Sequence, residues 1–206
     1  MKSQEAELKR MWGTRREIVL TENVLPYLKR KCKILDVGCG NGFLAYLLTK
    51  RKVNVVGVDI SPRRIKYAHE KCPEADFIIA DGRYLPFYNE EFESVTCCEV
   101  LEHVPNYPMI LNEIFRVLMP KGTIVVTVPY KMQEHINFFD EQKICKAVKS
   151  KGFKIEKIYG IGFELEGIGR FLPSKLRILL HKFFYYFFKR ANFIVVVGHK
   201  SAKERL

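Results

Sequence analysis

The chain has 206 residues, 48% of them hydrophobic and 28% charged, which is enough for one domain with its own core and argues against global disorder. Its 35 Lys and Arg against 23 Asp and Glu leave a net charge of +12, a balance that serves solubility or favours acidic partners such as nucleic acid, anionic headgroups or a phosphorylated small molecule. Six scattered cysteines with no Cys-x-x-Cys point to a reducing compartment rather than a disulfide framework. Met1 to Arg16 is too polar for a signal peptide, and no apolar run reaches the ~18–20 residues of a membrane span. The expected setting is cytoplasmic, at most peripheral at a membrane.

Residues 4–30 carry Leu8, Met11, Trp12, Ile18, Val19, Val24 and Leu25 at helical spacing, which predicts an N-terminal helical cap over 1–30. A main domain over 31–200 follows, in which short β-branched runs alternate with amphipathic stretches. Strands are predicted at Lys33–Val37, Val53–Val58, Phe77–Ala80, Ser94–Cys98 and Thr123–Val128, and helices at Gly42–Lys50, Pro62–Lys71 and Tyr107–Leu118. Ser61 is placed as N-cap of the second helix, with Pro62 at its first position. A helix at Asp140–Lys151 and strands at Phe153–Tyr159 and Phe193–Gly198 complete the order. Strands apolar on both faces and separated by helices indicate an α/β, Rossmann-like, doubly wound and mostly parallel sheet.

The run Asp36-Val-Gly38-Cys39-Gly40-Asn41-Gly42 takes a buried strand into a glycine loop that opens a helix, where free N–H groups and bare backbone admit a ligand closely. Its Gly-x-Gly-x-Gly spacing is not the Gly-x-Gly-x-x-Gly of dinucleotide folds. Asp36 just before it would repel a pyrophosphate and attract a cationic amino-acid ligand. Asp59 and Asp81 end the next two strands, at the same rim of a parallel sheet. There Asp59 can accept both hydroxyls of a ribose and Asp81 an adenine amino group. Each aspartate alone would read as a strand-end turn residue; three in succession beside a glycine loop do not.

These segments, with Ala80-Asp81-Gly82-Arg-Tyr-Leu-Pro-Phe87, Glu99-Val-Leu-Glu-His103 and Leu118-Met-Pro-Lys-Gly122, resemble the successive motifs of class I S-adenosylmethionine-dependent methyltransferases. The nearest likeness is to the branch that includes quinone-biosynthesis methyltransferases. The resemblance implies a seven-stranded sheet whose last strand runs antiparallel, with a helical insertion before it. It implies S-adenosylmethionine as cofactor, with Gly38, Gly40 and Gly42 wrapping the methionine part, Asp59 the ribose and Asp81 the adenine. The expected cofactor-binding set is Asp36, Gly38, Cys39, Gly40, Asn41, Gly42, Asp59, Ile60, Asp81, Gly82 and Glu99.

After the fourth strand, Glu99, Glu102 and His103 fall within one helical turn. They form either a polar rim that positions the acceptor or, with His135, a divalent-ion site like that of some quinone and small-RNA methyltransferases. No metal is assigned on the sequence. An oxygen nucleophile needs its proton removed, and His103, the one nearby side chain of a type whose unperturbed ionisation falls near neutrality, is the candidate catalytic base. The Asn-Pro-Pro-Tyr of amino-methyltransferases is absent: Cys98-Glu99-Val100-Leu101 stands in its place.

Residues 161–190 form a basic, aromatic insertion, with Leu176, Leu179, Leu180, Phe183 and Phe187 on one helical face and Lys175, Lys182 and Lys189 elsewhere. That face suits packing on the sheet, an interfacial helix on an anionic membrane, or an RNA surface. The leading expectation is an enzyme that methylates a small-molecule or lipid-like acceptor. An RNA methyltransferase and a non-catalytic cofactor-binding module are the alternatives, and the glycine spacing argues against a nicotinamide dehydrogenase.

Overall fold

The computed structural model describes residues 19–29, 32–130, 135–161 and 193–201. Seven strands form one sheet: β1 (Lys33–Val37), β2 (Asn54–Asp59), β3 (Asp76–Ile79), β4 (Phe92–Cys98), β5 (Leu118–Pro129), β6 (Phe153–Ile161) and β7 (Phe193–Lys200). Their order is β3-β2-β1-β4-β5-β7-β6. The first five pair in parallel, and β7 lies antiparallel between β5 and β6, as the resemblance implied. The strand order reverses between β1 and β4, so the C-terminal ends of β1, β2, β3 and β4 surround one crevice, where open α/β sheets take their ligands.

Period-two alternation divides the sheet between two cores. Ile34, Val55, Val125, Val195 and Val197 face one cluster; Leu35, Val37, Val56, Val58, Ile124, Val126, Val128 and Val196 face the other. Against the first face pack α1 (Phe43–Thr49) through Phe43, Leu44 and Leu48, and α2 (Pro62–Lys71) through Ile65 and Ala68. Against the second pack α3 (Tyr107–Val117) through Ile110, Leu111 and Ile114, and α4 (Glu141–Lys149) through Ile144 and Val148. Helices on both faces leave little room for polar side chains inside and push function to the strand ends.

Ser61 caps α2 as expected, accepting from the Arg64 N–H at 3.4 Å, and Asp140 caps α4 by accepting from Lys143 at 2.8 Å. Within the expected cap, Val19–Val24 is a π-helical turn and Leu25–Tyr27 a 3₁₀ turn with Pro26 near its start; Val19, Leu20, Val24 and Leu25 are buried in the first core. The helix from Tyr107 stops at Val117, and Leu118 already pairs with Phe92 before Pro120–Gly122 interrupts the register. Residues 1–18 and 30 of the expected cap and 162–190 of the insertion lie outside the described residues. Among the described residues, no helix is long and apolar enough to cross a membrane.

Candidate active site

The glycine loop is built around the end of β2. Gly38 and Cys39 donate to the Val58 carbonyl at 2.8 and 2.9 Å, which docks the loop onto the neighbouring strand. Gly38 has φ +74, and a Cβ there would run into Val100, so both torsion and space require glycine. Asp59 closes the loop: its Oδ2 accepts from Gly40 N–H at 3.0 Å and its Oδ1 from Ser61 N–H at 2.9 Å. Each carboxylate oxygen thus retains acceptor capacity beyond its backbone bond. Arg64 approaches at 3.7 Å.

A cavity of about 460 Å³ opens at this rim. Its walls include Gly38, Gly40 and Asn41 from the loop, Asp59 at the end of β2 and Ile60 just after it, Asp81 and Gly82 after β3, and Glu99 and His103 after β4. The structure therefore brings together residues that lie far apart in sequence. Asp36, Cys39 and Gly42 stand behind this wall. Asp36 is buried and accepts from Thr96 Oγ1 at 2.7 Å, under the loop. Cys39 is also buried, and burial, with the charges of Asp36 and Asp59, pushes its thiol far up, so it remains neutral. Gly42 packs against Phe77 and Ala68, where a Cβ would meet Phe77 at 2.8 Å.

Asp81 sits in a tight turn, with its carboxylate bound by Arg83 through Nη2 at 2.6 Å and Nε at 3.0 Å. Those bonds hold its carboxyl below the ordinary aspartate range, outweighing a smaller upward push from burial. The segment beyond is fixed by an i,i+3 pair on α3. Glu113 accepts from Leu85 N–H at 2.7 Å, and Arg116 donates to the Leu85 carbonyl at 2.9 Å and to the Phe87 carbonyl at 2.7 Å. Glu113 and Arg116 also meet each other at 2.7 Å.

At the other end of the cavity, Glu99 has φ +55, a strained torsion for a residue with a side chain, and it turns the chain off β4 into the 3₁₀ turn Leu101–His103. Glu102 is 1% exposed and its Oε1 lies 3.8 Å from His103 Nε2, whose side chain is 61% exposed. The His135 ring meets His103 edge to face at 4.9 Å. Ligand atoms of Glu102, His103 and His135 all lie within 4.8 Å of one another; Glu99 is not in that group. Asn137 makes the arrangement possible. Its side chain donates to the Leu101 and Val104 carbonyls at 3.0 and 2.7 Å, and its backbone N–H donates to the Glu102 carbonyl at 3.0 Å. Sequence reasoning missed Asn137, Arg83 and the Glu113–Arg116 pair, since no local pattern marks them.

Residues 35–126 match a family described as the methyltransferase domain. A ubiquinone biosynthesis O-methyltransferase of Thiobacillus denitrificans is 34% identical over 158 residues, covering 64% of this chain and 68% of that enzyme. The Methanocaldococcus jannaschii protein MJ0638 is 38% identical over 153 residues, covering 73% of this chain and 64% of that one. A demethylmenaquinone methyltransferase of Thermotoga maritima is 30% identical over 96 residues, covering 46% of this chain but only 42% of the relative. Among solved structures, the PH0226 protein of Pyrococcus horikoshii superposes with TM-score 0.68 at 22% identity, covering 91% of each chain. The [4+2]-cyclase SpnF does so with TM-score 0.70 at 17% identity, covering 91% of this chain and 81% of that one. That a cyclase shares the fold shows that the architecture alone does not define the reaction. The chain belongs to the class I S-adenosylmethionine-dependent methyltransferases, on the branch related to quinone and other small-molecule methyltransferases. Its cofactor is S-adenosylmethionine. The donor set fits that group: a glycine loop without side chains, a carboxylate with acceptor capacity at the end of β2, and a second carboxylate after β3.

Proposed function

We propose that the chain transfers a methyl group from S-adenosylmethionine to a hydroxyl of a small, quinone-like aromatic acceptor. The observation that carries this reading is the continuous cavity lined by Asp59 and Asp81 at one end and by His103, Val104 and Pro105 at the other. Asp59 holds the ribose, Asp81 the adenine amino group, and the loop Gly38–Asn41 the methionine part. The cofactor supplies a methyl group on a sulfonium, and transfer is an in-line displacement that rewards alignment and exclusion of water. His103 takes the hydroxyl proton as the oxygen attacks, with the buried Glu102 beside it stabilising the imidazolium that forms. Ile136 and Phe138, exposed at 63% and 57% in the segment that Asn137 clamps beside His103, offer an apolar surface for an aromatic ring.

The names of the Thiobacillus and Thermotoga relatives support the acceptor class. The convergence of Glu102, His103 and His135 favours a second reading, in which a divalent ion activates the hydroxyl. Incubation with methyl-labelled cofactor and a panel of catechols and hydroquinones tests both. The expected result is label in at least one aromatic product, with turnover reduced about 100-fold or more in His103→Ala and cofactor affinity unchanged. Insensitivity to chelator supports the base; loss on chelation and recovery with Mg²⁺ supports the ion. Tight cofactor binding without transfer to any hydroxyarene rejects the acceptor class.

A further inference from the structure

The two carboxylates of the cofactor rim are not equally available. Asp59 accepts one backbone N–H on each oxygen, and Arg64 stays beyond hydrogen-bond distance at 3.7 Å. Asp81 instead takes four contacts, all from residue 83. The Arg83 N–H reaches Oδ1 at 2.9 Å, Nε lies 3.0 Å from Oδ1 and 3.1 Å from Oδ2, and Nη2 lies 2.6 Å from Oδ2. Three N–H groups make these contacts, the Nε–H being shared between the two oxygens, so residue 83 takes most of the roughly four lone-pair sites of the carboxylate. The contact follows from the local fold: Tyr84 N–H closes a turn onto the Asp81 carbonyl at 2.9 Å, which brings the guanidinium back over the carboxylate. Arg83 also lines the cavity.

We infer that Arg83 sets the cofactor's affinity and base selectivity by competing with the adenine amino group for Asp81. The inference rests on the proposed assignment of Asp81 to adenine. An exocyclic amine is a donor and competes with the guanidinium fork for the same two oxygens. A 6-oxo purine presents an acceptor there, which Arg83, with five donors and no acceptor, can meet without leaving Asp81. Arg83 therefore weakens binding of the amino base and narrows its advantage over the oxo base. Both partners are partly exposed, at 37% and 26%, so the competition is a modest effect of about two- to five-fold.

Calorimetric titration of the full chain with S-adenosylhomocysteine and S-inosylhomocysteine tests this. Arg83→Met should bind the adenosyl ligand about two- to five-fold tighter without tightening on the inosyl ligand, and Arg83→Lys, which keeps the charge but not the fork, should fall between. Wild-type affinity for the adenosyl ligand should rise with salt, as the ion pair is screened, and that of Arg83→Met should stay flat. Equal or weaker adenosyl binding in Arg83→Met, or an equal change for both ligands, overturns the inference. Asp81→Ala separates it from the reading beneath it. If that variant keeps the wild-type preference for the adenosyl ligand, Asp81 is not the adenine acceptor. If it loses the preference while Arg83→Met changes nothing, the competition alone is wrong.

Discussion

Asp59 serves two tasks with one carboxylate. Its bonds to the N–H groups of Gly40 and Ser61 join the glycine loop to the start of α2, and its remaining acceptor capacity faces the cavity. Asp59→Ala should therefore lose about 2–4 kcal/mol of affinity for S-adenosylhomocysteine by calorimetry, from charged hydrogen bonds of ~1.5–3 kcal/mol each with partial compensation by water. Asp59→Asn keeps one acceptor and should fall between. Unchanged affinity in the alanine variant would remove the ribose assignment. The place of this aspartate was legible in the sequence because a β-branched run ending in Asp, after a glycine loop, has few meanings in a parallel sheet. Arg83 was not legible in the same way. Its neighbour two positions back is evident, but whether the guanidinium folds back onto it depends on turn torsions that the residue names do not specify.

At the scale of elements, strand and helix order could be read from apolar periodicity, because the central strands are buried on both faces and each helix on one. What could not be read were the contacts that set loops against elements. Asn137 holds the segment after β5 to the turn bearing His103, and Glu113 with Arg116 holds Leu85–Phe87 against α3. In sequence these are ordinary polar residues on a loop and on a helix face. The early end of α3 had the same cause, since pairing of Leu118 with Phe92 overrides the local helical preference. The Glu113 clamp has a pH signature. Its hydrogen bonds with Arg116, the largest influence, hold the carboxyl below the ordinary glutamate range despite an opposing push from burial. A folded-state value below the unfolded one means that the contribution to stability is present above about pH 4.5 and is lost as pH falls through the lowered folded value. Glu113→Gln should therefore be less stable than wild type near pH 7, by about 1–3 kcal/mol in urea unfolding, and the difference should shrink as the pH is taken below about 4. A difference independent of pH would show that packing, not ionisation, carries the clamp.

The described residues form one sheet with two cores, and the rim of the cavity draws on the ends of β1, β2, β3 and β4 together. A ligand that touches all four binds only when the sheet is assembled, so binding energy should appear as global stability rather than as local order in one loop. At a ligand concentration about one hundred times the dissociation constant the gain is about 2.7 kcal/mol. For a chain of this size each kcal/mol raises the melting temperature by about 2–4 °C. S-adenosylhomocysteine at that concentration should therefore raise Tm by about 5–11 °C, in one cooperative transition. Gly38 gives the control, because its positive φ and the overlap of any Cβ with Val100 tie the loop to the exit of β4. Gly38→Ala must shift the loop or Val100, and both border the cavity. The variant should melt below wild type without ligand and gain little or nothing with it, measured by calorimetry over the same concentrations. A full ligand-induced rise in Gly38→Ala would mean that the cofactor does not use the approach that this glycine leaves open, and the methionine end of the site would have to be placed elsewhere along the rim.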